Sequence, residues 1–265
     1  MNGSRKLMSV MAMLALALVA CQAASSGQPG SQTASVAASA SLGPSVQPTA
    51  TPKPITMSRP TDLPVDGSCE EGHACLGLLT PGKTYATTEF LPHFTFSVPD
   101  AGWENLAETG GVVQLLPIAS PGDAIAFFRD PRASGPGSAA AGSTVEDLAA
   151  WFVANPLLEV TAPQPVTLGG LAGVSMEIRI AADATNQDPS CPVQVCVPFV
   201  KGIDPMPPVE WEWDWGSAGT ETQRLYLVTA TDNVVVAIFV DSLDGATFDS
   251  LTAKADAILA TLKFD

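Results

Sequence analysis

Apolar and polar positions first alternate clearly at Phe94-Thr95-Phe96-Ser97-Val98. Successive side chains of a strand point to opposite faces, so this pattern predicts a half-buried strand. Pro99-Asp100-Ala101-Gly102 supplies a turn, and Trp103 begins a returning segment. The apolar runs 111–116 and 124–129 predict two more strands, with a Gly/Ser/Ala/Pro loop at 133–142. The period then changes. Leu148, Trp151 and Phe152 recur at helical spacing behind Ser143-Thr144-Val145-Glu146, which has the form of a capping box. Asn155-Pro156 predicts the end of that helix, because proline disfavours the helical conformation of the residue before it. Next come Gln164 to Leu168, a Gly169-Gly170 turn and a long strand from Gly173 to Ile180. Glu210 to Trp215 reads as a strand, and 224–231 with 234–241 flank Asp232-Asn233 as a hairpin. Phe248, Leu251, Ile258 and Leu259 mark a closing helix near 246–260, and Leu262 and Phe264 a short extended tail. Strands outnumber helices and short turns join most of them. The fold class expected is α+β, an antiparallel sheet with packed helices.

The chain before these elements has a different character. Arg5 and Lys6 precede an uncharged run from Leu7 to Ala20. A permanent membrane helix needs roughly 20 apolar residues, so the shorter run reads as a signal peptide, residues 1–20. It ends in Leu18-Val19-Ala20-Cys21, which resembles the lipobox of bacterial lipoproteins. The resemblance implies cleavage after Ala20 and a diacylglyceryl group on the sulfur of Cys21. Residues 22–60 are mostly Ala, Ser, Thr, Pro, Gln and Gly, with only Lys53 and Arg59 charged. Such a segment buries too little apolar surface to offset its ordering entropy. Residues 21–66 are therefore expected to be a disordered tether, with an r.m.s. reach of roughly 35 Å. Residues 67–265 are expected to form a single α+β domain with an insertion near 183–216.

Charge narrows the partners. Against 12 Lys and Arg stand 27 Asp and Glu, a formal net charge of −15. Phosphate backbones and anionic headgroups would both be repelled, so no nucleic acid is expected and the lipid on Cys21 carries the membrane contact. With Cys21 assigned to lipid, Cys69, Cys75, Cys191 and Cys196 remain. An even count in an exported domain argues for two disulfides. The local pairs Cys69–Cys75 and Cys191–Cys196 each close a short loop rich in turn formers, and the two crossed pairings stay open. A zinc site using these cysteines with His73 lacks any standard ligand spacing.

The folded part resembles a family. The elements are the strand at Phe94–Val98 running into Gly102-Trp103, the helix 145–154, and Val166 to Gly173 before a long strand. The hairpin 224–241 follows, with a closing helix and Ala260-Thr261-Leu262-Lys263-Phe264. Together they look like the PsbP-like sandwich, as in bacterial lipoproteins of the LpqN type, over roughly 90–265. The resemblance implies a binding or assembly factor without catalysis. The segment 183–216 departs from the family's shorter core.

The most unusual stretch is Glu210-Trp211-Glu212-Trp213-Asp214-Trp215. On a strand its tryptophans share one face and its acids the other. Trp211, Trp213 and Trp215 are thus a candidate interaction surface, although covering the sheet's core is the favoured role. The acids stand in a row rather than flanking a cleft, which argues against a glycosidase pair. Asp183, Asp188 and Asp204 could contribute to a calcium site, but no EF-hand pattern is present. His73 and His93 are the only histidines, and neither a Gly-x-Ser-x-Gly elbow nor a His-Glu-x-x-His motif occurs. No catalytic residue, metal or cofactor is assigned. The expectation is a membrane-anchored, extracytoplasmic binding or assembly module of a bacterial envelope, its partner an envelope protein or glycan. The competing expectation is an exported hydrolase. A cleft that gathers a histidine or two carboxylates with a nucleophile would favour the hydrolase, and an exposed aromatic patch the binding module.

Overall fold

The computed structural model describes residues 76–188, 193–204 and 211–265, all within a unit that runs from Met57 to Asp265. The segments expected to be a signal peptide and a tether, with Cys21, Cys69, His73, Cys75 and Cys191, lie outside the described residues. In chain order the strands are β1 (Gly77–Leu78), β2 (Thr84–Ala86), β3 (Phe94–Ser97), β4 (Trp103–Glu108), β5 (Val112–Pro117), β6 (Ala124–Arg129) and β7 (Arg132–Ala133). Helix α1 (Val145–Ala154) follows, then β8 (Leu158–Val160), β9 (Gln164–Leu168), β10 (Leu171–Ile180), β11 (Cys196–Asp204) and β12 (Trp211–Ala218). The chain closes with β13 (Thr222–Thr229), β14 (Val235–Ser242), α2 (Phe248–Leu259) and β15 (Lys263–Phe264).

Among the described residues these strands build a nine-stranded sheet in the order β1-β4-β5-β6-β14-β13-β10-β8, with β9 paired to β10. Two three-stranded sheets, β12-β11-β7 and β15-β3-β2, accompany it. Each pairing within the main sheet is antiparallel. The α+β class read from the pattern is the class observed.

Strand β14 explains the layering. It reads Val-Val-Ala-Ile-Phe-Val-Asp-Ser, and every residue is buried. A strand covered on both faces needs that near-continuous apolar run. Val236, Ile238 and Val240 join a core with Leu251, Ala255 and Ile258 of α2 and with Phe94 and Phe96 of β3. Val235, Ala237 and Phe239 join a second core with Leu148 and Phe152 of α1 and with Val197 and Phe199 of β11. Fully burying one such side chain contributes about 1.5–3 kcal/mol, so the two cores hold the layers on opposite faces of one sheet.

Local chemistry sets the turns and caps. Gly169 and Gly170 have φ of 59° and 89° in the tight turn between β9 and β10, a backbone that costs glycine little. Asp232 and Asn233 take φ of 60° and 62° between β13 and β14, the left-handed pair expected of the Asp-Asn hairpin. Helix α1 is capped by Thr144, whose Oγ1 accepts the Asp147 N–H at 3.1 Å. The cap therefore sits one residue later than the Ser143–Glu146 box suggests. Asn155 ends the helix in extended backbone before Pro156, as read.

Two features differ from the sequence pattern. Strands β3 and β4 flank a turn but do not pair. β3 pairs instead with β2 and the C-terminal β15, placing Phe96 opposite Tyr85 and Phe94 opposite Phe264. These rings lie 5.6 and 5.4 Å apart, and such cross-strand aromatic pairs favour that register over a local hairpin. The prolines and cysteines of 183–208 also concealed a strand, since β11 spans nine residues there. It forms a hairpin with β12, and its Phe199 is fully buried.

Candidate functional site

Phe239 of β14 places Trp215 of β12. Their ring centroids are 6.0 Å apart, and Trp215 lies 5.1 Å from the ring of Phe128. The indole N–H of Trp215 donates to Oε1 of Gln223 at 3.1 Å. Gln223, fully buried on β13, donates its amide to the Gly216 carbonyl at 2.8 Å. Trp215 is thus half-buried and fixed by two rings and an amide. It packs against the α1-side core. The backbones of Trp211 and Trp213 pair with Asp204 and Gly202 of β11, and their side chains lie outside the described residues.

Beside Trp215 the sheet opens into a cleft of about 330 Å³. Its walls include Asp188, Val197, Pro198, Trp215, Ser217, Glu221 and Asp241, and Cys196 borders it at the start of β11. The turn between β12 and β13 delivers Glu221. Gly219 holds φ of 60° there and donates its N–H to the Val195 carbonyl at 2.9 Å. Glu221 Oε2 accepts the Ala218 N–H at 2.8 Å. Strand β14 delivers Asp241 directly opposite Gln223 and beside Ala124 of β6. Asp123, just before β6, is also buried, and its Oδ1 accepts the Leu243 N–H at 3.0 Å.

Asp241 is only 7% exposed, and its Oδ1 has no hydrogen-bond partner. Burial, then the negative charges of Glu221 and Asp123, push its carboxyl up to about 8. Burial also raises Glu221, opposed by the Ala218 N–H and by the side chains of Ser217 and Gln223. A carboxyl in this setting is neutral at pH 7 and becomes a charged acceptor once a positive group approaches. No Lys, Arg or His stands among the described lining residues. The cleft thus presents hydrogen-bond acceptors beside one aromatic wall.

Of the other residues singled out in the sequence, Asp188 lines the cleft, whereas the side chain of Asp204 lies outside the described residues. His93 is placed elsewhere, its carbonyl accepting the Asp265 N–H at 3.1 Å. Among the described residues no group of three His, Cys, Asp or Glu is arranged to hold a metal ion, and no helix is long and apolar enough to cross a membrane. By sequence, Asp241, Asp244 and Asp249 near the start of the last helix read as capping and surface charge, but Asp241 lies buried at the end of β14; Glu221 and Asp123 were not singled out. The signal for Asp241 was an acid at the end of an otherwise apolar, doubly buried strand.

Comparison with known proteins places little beside the chain. No family model matches it, and no curated protein matches it. Among solved structures it is similar to cyanobacterial PsbP from Synechocystis sp. PCC 6803, at 9% identity over 75% of this chain and 98% of that one, with a TM-score of 0.36. It is similar to LpqN of Mycobacterium tuberculosis, described as involved in cell envelope biogenesis, at 12% identity over 71% and 82% of the two chains, TM-score 0.31. A third, from Bacteroides thetaiotaomicron, shares 11% identity over 65% of this chain with a TM-score of 0.28, and the chain spans 45% of its length. At those scores the architecture rests on the chain's own strand order and its two cores.

Proposed function

We propose that this protein is a bacterial lipoprotein whose α+β domain is held outside the membrane by diacylglyceryl-Cys21 and binds an envelope component without catalysing a reaction. The lipobox Leu18-Val19-Ala20-Cys21 and the uncharged tether support the anchoring part. Two acyl chains suffice for stable attachment, each buried CH₂ contributing about 0.8 kcal/mol. The observation that carries the binding part is the cleft beside Trp215, whose lining includes the buried carboxyl of Asp241 with one oxygen unpartnered. Native interiors rarely leave such a group unpaired, so a ligand that pairs it is favoured. The pairs Cys69–Cys75 and Cys191–Cys196 belong to the same proposal, with Cys196 at the rim of the cleft.

Fractionation of cells expressing the wild-type chain and Cys21→Ser tests the anchoring. The wild type is expected in the membrane fraction with incorporated palmitate, and the variant in the soluble extracytoplasmic fraction without it. Membrane retention of the variant contradicts the proposal. Turnover of an ester or glycoside that disappears in Asp241→Asn contradicts the non-catalytic reading and favours a hydrolase.

A further inference from the structure

We infer that the cleft lined by β11, β12 and the end of β14 is a binding site for an organic ammonium group carried on a short apolar body. This deepens the proposed binding function and rests on it. Asp241 and Glu221 line the cleft together with Asp188, and Asp123 adds its charge from the β5–β6 turn. No positive side chain among the described lining residues stands beside Asp241 and Glu221. A neutral or anionic ligand would leave the Asp241 carboxyl in its protonated form, whereas a positive group stabilises its carboxylate beside Glu221. Asp241 lines the cleft, is more than nine-tenths buried, and its Oδ1 has no hydrogen-bond partner, leaving an acceptor for a charge-assisted hydrogen bond.

The remaining walls decide between an organic cation and a metal ion. Val197, Pro198 and Trp215 are apolar, and an indole is the ring that best attracts a cation. A volume of about 330 Å³ suits a small molecule. A hard divalent cation needs about six to eight oxygen ligands close together, and the described residues offer no group of three arranged for a metal. The elevated titration of Asp241 adds a consequence. An ammonium ion stabilises the carboxylate, so binding expels the Asp241 proton and strengthens as pH rises towards about 8. The groups that face Asp241 in this respect are Glu221, Asp123 and the Gln223 amide.

The test is calorimetry and saturation-transfer NMR on the full lipidated chain in non-ionic detergent. Pentylammonium, its neutral counterpart pentanol, and calcium chloride are the probes. The expected result is saturable binding of pentylammonium with proton release near neutral pH and no saturation by pentanol. Asp241→Asn should weaken it by about tenfold or more, and Glu221→Gln by less. Asp241→Asn removes a buried ionisable group without changing shape, and near-UV circular dichroism verifies that it folds. Equal binding of pentanol, an unaltered affinity in Asp241→Asn, no saturation by pentylammonium, or displacement of the amine by calcium would each overturn the inference. Failure with the amine while Cys21→Ser still releases the protein removes the ligand class alone. Amine binding by a Cys21→Ser variant that stays on the membrane removes the anchoring and keeps the site.

Discussion

The two faces of the β13–β14 hairpin treat charge in opposite ways. On the α2 side, Arg224 bridges Glu177 at 2.9 Å and Asp256 at 3.5 Å. The Tyr226 hydroxyl donates to Asp256 at 3.1 Å, and burial, followed by the Asp256 charge, pushes that phenol up to about 12. Arg224 also lies 5.7 Å from the centre of the Phe248 ring. Arg224, Glu177 and Asp256 are thus paired with one another. One residue along each strand, on the α1 side, Gln223 faces Asp241, and the acids around it gather without a cation among the described lining residues. Alternation along a strand makes this contrast possible, since neighbouring residues never share a face. A face whose charges are already satisfied is built for stability. The face left unsatisfied is the one expected to meet a ligand.

The largest effect should come from removing the rings that support the unsatisfied face. Phe239→Ala deletes a fully buried side chain that meets Phe128, Phe199 and Trp215. It should cost about 3–5 kcal/mol in denaturant unfolding and loosen Trp215 at the cleft wall. A cost below about 1 kcal/mol would mean that the α1-side core is not packed as described.

Next in size is the pH dependence of the cleft. Asp241 has a raised folded-state pKa, so between about 4 and about 8 the folded state holds a proton that the unfolded state has released. Its contribution to stability is therefore fully present below about pH 4 and is lost as pH rises through about 8. Melting curves of Asp241→Asn, compared with wild type, should show a gain that grows from pH 5 to pH 8, on the order of a few kcal/mol at most. A constant difference across that range would place Asp241 in an ordinary solvated setting.

On the paired face, Arg224→Met should cost about 1 kcal/mol, because it strands Glu177 and Asp256 but at partly exposed positions. That loss should shrink in high salt, whereas the Phe239→Ala loss should not. The smallest effect expected is at the helix that covers the α1 side. Thr144→Ala removes the cap on Asp147 N–H and should cost about 1 kcal/mol or less, read by the same unfolding assay.

Much of the sheet was legible in the sequence because its patterns are local. The alternation at 94–98, the Gly169-Gly170 turn and the Asp232-Asn233 hairpin each depend on a few adjacent residues, and each is found in place. The separation of β3 from β4 was not legible, because Phe94 finds its partner at Phe264, far along the chain. Strand β11 was hidden for a related reason. Its prolines and cysteines read as loop, while its strand character comes from pairing with β12 and β7. The cleft was less legible still. Asp241, Glu221 and Asp123 come from three separate turns and strand ends, and only the sheet order brings them together. The Trp-rich strand drew attention by composition, and the part of it that is described, Trp215, serves as the wall of a site whose chemistry lies in other residues.

Direct observation of the Asp241 carboxyl bears most closely on this account. Its side-chain carbon can be followed by NMR across a pH titration of the labelled protein, with Asp241→Asn providing the assignment. The account predicts a midpoint near 8 that falls when pentylammonium is added. A midpoint in the ordinary carboxylate range near pH 4, unmoved by the amine, would contradict it.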